Sequence, residues 1–252
     1  MGAYTGWERA NWYARVGDDT SDAGAQTWAR KGAWFEAVRA EVQAVRDAAG
    51  ILDLPGFSRF VLSGLGASAW LARQISGKLP NIGRLGLAYF ADDLGRIITE
   101  MSVARLGEDE ILLITAATAQ SHDGEWLQRH LTAGLLLQDV TESWSAQIIT
   151  GPKSREILAK VTDADLSKPW LTFQDAQVAG QGAFLMRVSF AGELGWEIHS
   201  KYAKTQSIYE AVIAAGGPLG LKPFGMFALN SLRIEKGYRV WKGDLSTDYS
   251  LL

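Results

Sequence analysis

The chain has 252 residues, 47% of them apolar and 21% charged, with a net charge of −3. That is enough for one large domain or two small ones with a sizeable core, and no Lys/Arg block supports nucleic-acid binding. Cysteine is absent, which excludes disulfides and thiolate metal sites. The three histidines, His122, His130 and His199, lack the spacing of a zinc-protease pair, and no metal is expected.

Residues 6–14 (G-W-E-R-A-N-W-Y-A) are polar and aromatic-rich without strong periodicity, and residues 18–27 read as a loop. Trp34, Val38, Val42 and Val45 share one stripe of a helix over 34–48, with Gly50 as its stop signal. A strand is expected at 57–62 and a short helix at 67–75. Three strand-like runs follow at 85–90, 96–105 and 110–115, split by turn signals at 92–95 and 107–109. A helix is expected over 122–131, a strand over 140–150 and a helix over 154–160 behind Pro152. Strands at 173–176, 182–190 and 195–200 precede helices at 205–215 and 224–236. Strand pairs and triplets interrupted by helices predict an α+β fold of mostly antiparallel sheet. With no linker-like stretch, residues 1–252 read as one compact body or two intimately packed sub-domains. No apolar run is long enough to span a bilayer and no signal peptide opens the chain, so a soluble, reducing compartment is expected.

The stretch 186–200, M-R-V-S-F-A-G-E-L-G-W-E-I-H-S, alternates as two half-buried strands around a turn bracketed by Gly192 and Gly195. Period two places Glu197 on the face opposite Trp196 and Ile198. A carboxylate fixed there can accept two parallel N–H bonds from a planar heterocycle such as a 2-amino-4-oxo ring. A hairpin with two solvated glutamates, Glu193 and Glu197, satisfies the same spacing, and solvated charge is the commoner case. Glu100, in the apolar run R-I-I-T-E-M, is either a buried acid/base group with a perturbed pKa or the outward residue of an alternating strand. His122-Asp123 reads as helix-start decoration in preference to an anion contact. Arg233 with Lys236 or Arg239 flanks one side of the last helix, as a carboxylate clamp or as an ion-pair face. There is no P-loop, dinucleotide fingerprint or G-x-S-x-G elbow, and G-L-G-A at 64–67 reads as a strand-to-helix turn.

Taken together, I-L-D-L at Ile51, G-R-I-I-T-E-M-S-V at Gly95, T-G-P-K-S-R at Thr150, F-A-G-E-L-G-W-E-I at Phe190 and S-L-R-I-E-K-G-Y-R-V-W at Ser231 follow one order. In that order they resemble the folate-binding aminomethyltransferase family, the glycine cleavage T-proteins and the folate domains of dimethylglycine and sarcosine dehydrogenases. G-W-E-R-A-N-W-Y at Gly6 looks like the segment that joins flavin and folate parts in the dehydrogenase branch. The resemblance implies a folate-binding transferase fold around a central channel, without the family's C-terminal β-barrel part. It implies tetrahydrofolate as cofactor and 5,10-methylenetetrahydrofolate as product, with a donor derived from dimethylglycine, sarcosine or glycine. FAD is expected only on a fused region or a flavoprotein dehydrogenase partner, and no membrane partner is expected. The cytoplasm, or the mitochondrial matrix in a eukaryote, is the expected location.

Residue by residue, Glu197 matches the carboxylate that pairs with the pterin, and Glu193 belongs to the same motif. Glu100 stands where the family carries an acidic residue, usually Asp, beside the reactive nitrogens, and is the expected catalytic residue. Phe190, Trp196, Arg233, Leu87 and Tyr89 are further expected cofactor contacts. Phe190 replaces the Tyr of the T-proteins and Leu229 replaces an Arg, departures that fit the dehydrogenase branch. They also fit two alternatives, a non-catalytic folate-binding or docking module of an oxidoreductase and a folate-dependent demethylase.

Overall fold

The computed structural model describes residues 1–4, 6–20 and 31–251; most of the loop expected at 18–27 lies outside them. A two-stranded ribbon (β1, Gly2–Tyr4; β2, Trp7–Arg9) opens the chain, and helix α1 (Phe35–Asp47) leads into β3 (Ala49–Asp53). The chain then departs through β4 (Phe57–Ser63), α2 (Ala67–Gln74), β5 (Ile75–Ser76), β6 (Leu85–Ala91), β7 (Ile97–Arg105), β8 (Glu110–Ala116), α3 (Gln120–His130) and β9 (Leu136–Asp139). It returns with β10 (Trp144–Thr150), α4 (Ser154–Leu158), β11 (Phe173–Val178), β12 (Gln181–Met186), β13 (Gly195–Lys201), α5 (Thr205–Gly216), β14 (Leu221–Pro223) and α6 (Met226–Glu235).

Two six-stranded sheets result, a first with order β11-β12-β13-β10-β3-β14 and a second with order β5-β6-β7-β8-β4-β9. Among the described residues, every strand pair within these sheets is antiparallel except β14 with β3. The α+β expectation holds. Alternation decides the layers. Phe60, Leu62, Phe90, Met101 and Val103 point outward under Trp70 and Leu71 of α2 and Leu127 of α3. Ile51, Ile149, Trp196 and Ile198 point outward from the first sheet under Ile157, Leu158, Ile208 and Val212 of α4 and α5. Its inner face is shared. One half packs Leu52 and Ile148 on Val45 of α1 and Leu229 and Leu232 of α6. The other half packs Met186, Phe173 and Phe184 on Leu85, Ala104 and Ile114 of the second sheet. Each fully buried Leu, Ile or Phe contributes roughly 1.5–3 kcal/mol over exposure. No helix among the described residues is long and apolar enough to cross a membrane.

Two local readings are corrected. Gly50 lies inside β3 and does not stop the helix, which ends at Asp47 with Ala48 as its cap. It is small because α1 and the chain before α6 crowd it: a Cβ there would sit 2.5 Å from Val45 Cγ2 and 2.6 Å from Phe224 Cδ1. The expected strand over 182–190 ends at Met186, so Val188 and Phe190 lie in the loop, 187–194, that joins the antiparallel strands β12 and β13. The main chain of that loop is committed elsewhere: Leu194 O accepts from Gly151 N at 2.7 Å, Ser154 Oγ at 3.0 Å and Thr150 Oγ1 at 3.3 Å. Gly192 takes the left-handed φ of 76° expected of it, whereas Gly195 begins β13.

Glu41 is buried on the same stripe as Val38 and Val45 and was not foreseen as a tie-point. Its carboxylate accepts from Tyr13 N at 2.6 Å and Gly225 N at 2.9 Å, joining the N-terminal segment to the start of α6. Burial raises its pKa and the two N–H groups oppose the rise. Asp53, at the end of β3, is raised by burial alone. Folding therefore favours its protonated form: the contribution is present below the ordinary carboxylate value and is lost as pH rises through the raised one. Asp53→Asn is expected to gain on the wild type as pH goes from about 4 to 7, read as the difference between their urea midpoints. A pH-independent difference would show that the buried charge is not responsible.

Candidate functional site

The site follows from strand register. Tyr89 lies opposite Glu100 and Leu87 opposite Ser102 on β6 and β7, so all four share a face. It is the inner face, because the alternate residues Ala88, Phe90, Met101 and Val103 lie in the core under α2 and α3. On the first sheet Glu197 lies opposite Met186 on one side and Ile148 on the other. Met186 belongs to the core between the sheets, and Trp196 and Ile198 face the helices. Glu100 and Glu197 therefore face the space between the sheets from opposite walls.

On the second-sheet wall, Leu87 is 56% exposed; β7 pairs with it on one side, while β5 reaches only Tyr89 and Phe90 on the other. Tyr89 and Glu100 are direct cross-strand neighbours on this face. Burial raises the pKa of Glu100, and the Tyr89 hydroxyl pulls the other way. The Tyr89 hydroxyl is pushed up to about 12, first by burial and then by Glu100, while Arg239 acts in the opposite sense. The segment after α6 borders this wall: Trp241 Nε1 donates to Ile98 O at 3.1 Å, and Ile97 N donates to Tyr249 O at 3.0 Å.

On the first-sheet wall, Glu197 Oε2 lies 2.9 Å from His199 Nε2, with the Glu197 side chain 12% exposed and that of His199 1% exposed. Arg59 reaches across from β4, its Nε 3.4 Å from His199 Nδ1, and its Nη1 donates to Phe57 O at 2.9 Å and Trp144 O at 3.2 Å. Burial lowers the Arg59 pKa to about 10, against the pull of Glu197. Burial also lowers that of His199, against its hydrogen bond to Glu197.

The remaining expected contacts divide. Trp196 is a core residue on the opposite face of β13, beneath the Arg187 guanidinium at 4.5 Å, and is separated from Glu197 by the sheet. Glu193 pairs with Lys236 Nζ at 3.4 Å. Phe190 stacks on Tyr238, centroids 6.1 Å apart. Arg233 is buried beside Phe190; it donates to Asn230 Oδ1 at 2.6 Å, Tyr238 O at 2.8 Å and Asp244 Oδ2 at 2.6 Å, so it tethers the segment after α6. Leu229 is a core residue. Asp123 corrects the reading of helix-start decoration: it is fully buried and accepts from Thr115 Oγ1 at 2.6 Å, Thr99 Oγ1 at 3.0 Å and His122 Nδ1 at 2.8 Å. Sequence reasoning missed Arg59 and His199. A charge inside F-S-R-F-V-L and a histidine two residues from Glu197, hence on its face, were the available signals.

Comparison with known proteins agrees with this architecture. The chain is 30% identical over 254 residues to mitochondrial dimethylglycine dehydrogenase of Mus musculus, covering 98% of this chain and 29% of that protein. It is 27% identical over 222 residues to an aminomethyltransferase of Flavobacterium psychrophilum, covering 86% of this chain and 62% of that one. The glycine cleavage system aminomethyltransferase T structure from Bartonella henselae shares the fold, with a TM-score of 0.79 at 20% identity over 99% of this chain and 62% of that one. The chain thus spans less than two thirds of the length of each. The GCVT N-terminal domain family matches residues 1–252 throughout, and the chain belongs to that family.

Proposed function

We propose that this chain binds tetrahydrofolate between its two sheets and promotes transfer of a one-carbon unit from an aminomethyl or iminium donor. The observation that carries the reading is the pair of carboxylates, Glu100 and Glu197, facing one space from different sheets. The residues fit the ligand. Leu87 offers an exposed apolar surface on the same sheet face as Glu100, Tyr89 supplies an aromatic ring, and Glu197 has an oxygen beyond the one bound to His199. In the reading, Glu197 accepts the paired N–H groups of the 2-amino-4-oxo ring. Glu100, raised by burial, would take the proton that a folate nitrogen gives up on gaining the donor carbon, the donor's C–N bond breaking with its amine as the leaving group. The folate supplies the nucleophilic nitrogens; the chain orients them and removes water.

The donor belongs to the same proposal. The mouse relative is a dehydrogenase of which this chain covers 29%, so a flavoprotein dehydrogenase region, fused or separate, would generate the donor. A mitochondrial matrix location would go with that arrangement in a eukaryote. Calorimetric titration with tetrahydrofolate is expected to show saturable micromolar binding. Glu197→Ala should weaken it at least tenfold, the loss of two charge-assisted hydrogen bonds of roughly 1.5–3 kcal/mol each being more than sufficient. Absence of binding by the wild type would sink the reading. Binding without transfer would leave a folate carrier.

A further inference from the structure

The buried groups behind Glu197 are not used by the mechanism above, and they form a directed chain. A guanidinium has donors only. Arg59 Nε points at His199 Nδ1, so Nδ1 is the accepting nitrogen and the proton resides on Nε2. Nε2–H then donates to Glu197 Oε2 at 2.9 Å. Arg59 is itself held by one carbonyl from each sheet, Phe57 O on β4 and Trp144 O on β10. Both Arg59 and His199 are 1% exposed. The direction of donation is therefore set by the packing of the two sheets and not by solvent.

We propose that Arg59 and His199 are positioning residues for ligand recognition. Arg59 selects the Nε2–H tautomer of His199, and His199 fixes one oxygen of Glu197 so that the other is presented to the space between the sheets. The proposal rests on the reading that Glu197 binds the ligand ring. A glutamate has three rotatable side-chain bonds, and bracing one oxygen in the free protein removes part of the ordering that binding would otherwise require. The tie spans both sheets, so it also couples the Glu197 wall to the wall that carries Glu100.

The test compares wild type, Glu197→Ala, His199→Leu and His199→Gln by calorimetric titration with tetrahydrofolate, each checked by thermal unfolding. Leucine fills the site without a donor, whereas the glutamine amide places an N–H near the Nε2 position. His199→Leu is expected to weaken binding about tenfold and His199→Gln by no more than about threefold, at similar unfolding temperatures. Imidazole ¹⁵N spectra of the wild type should show the Nε2–H form before and after folate is added. If Glu197→Ala binds like the wild type, the reading beneath the proposal fails. If Glu197→Ala loses binding and His199→Leu does not, positioning is overturned while the reading stands. Equal loss in His199→Leu and His199→Gln, or an Nδ1–H spectrum, overturns it as well.

Discussion

Glu100→Gln is expected to cut the rate of one-carbon transfer about 100-fold or more while tetrahydrofolate affinity stays within about threefold of wild type; general-base catalysis by a positioned side chain is worth that much. Glutamine keeps the size and a hydrogen-bond acceptor for Tyr89 but cannot take a proton. Single-turnover transfer from a defined aminomethyl donor, beside a binding titration, separates the two effects. The pH profile adds a sign. Burial raises the Glu100 pKa, so the base form is lost, and the rate falls, as pH drops through a value above the ordinary carboxylate range. Tyr89→Phe removes the hydroxyl beside Glu100 that favours its charged form. Its acid limb should move to higher pH. An unchanged rate in Glu100→Gln would remove Glu100 from the chemistry.

Asp123→Ala is expected to destabilise the fold by about 3 kcal/mol or more, because two threonine hydroxyls lose their acceptor in a dry setting at roughly 1–3 kcal/mol each. Thr99 on β7 and Thr115 on β8 are both buried, and Asp123 sits on α3 above them. The carboxylate is thus the polar pin between helix and sheet. At roughly 2–4 °C per kcal/mol for a chain of this size, the unfolding temperature should drop by about 6–12 °C. Calorimetric scans of both proteins measure it. A drop within 1–2 °C would mean that the hydroxyls find other acceptors at little cost.

The sequence carried the elements whose signal is local. Helices over 35–47 and 205–216 and strands at 57–63, 97–105 and 110–116 were legible from apolar spacing and turn residues. Glu197 was legible as the residue opposite Trp196 and Ile198, because period two needs no tertiary knowledge. Strands at 49–53 and 221–223 were not legible. Their alternation is hidden: residues 49–52 are all buried, and 221–223 is a three-residue strand that exists by pairing with Ala49, Gly50 and Ile51. Glu41 and Asp123 were hidden for a related reason. A carboxylate on a helix reads as solvated until the backbone N–H or hydroxyl it binds arrives from residue 225 or residue 99. Phe190 was misplaced because the hydrogen bonds that commit its loop come from the T-G-P-K-S segment, about forty positions earlier.

The second sheet is an excursion between two strands that are neighbours in the first. The chain leaves β3 and comes back as β10, and Leu54 N donates to Ala146 O at 2.9 Å where departure and return meet. Bringing together the ends of a flexible stretch of about 90 residues costs on the order of 4 kcal/mol in closure entropy. Once residues 57–139 have folded with their own helices and core, that closure is largely achieved. Formation of β3–β10 then becomes an almost local event, and the wall carrying Glu197 is assembled on a wall that already holds Glu100. The order in which the two carboxylates come to face one another is in this way written into the path of the chain.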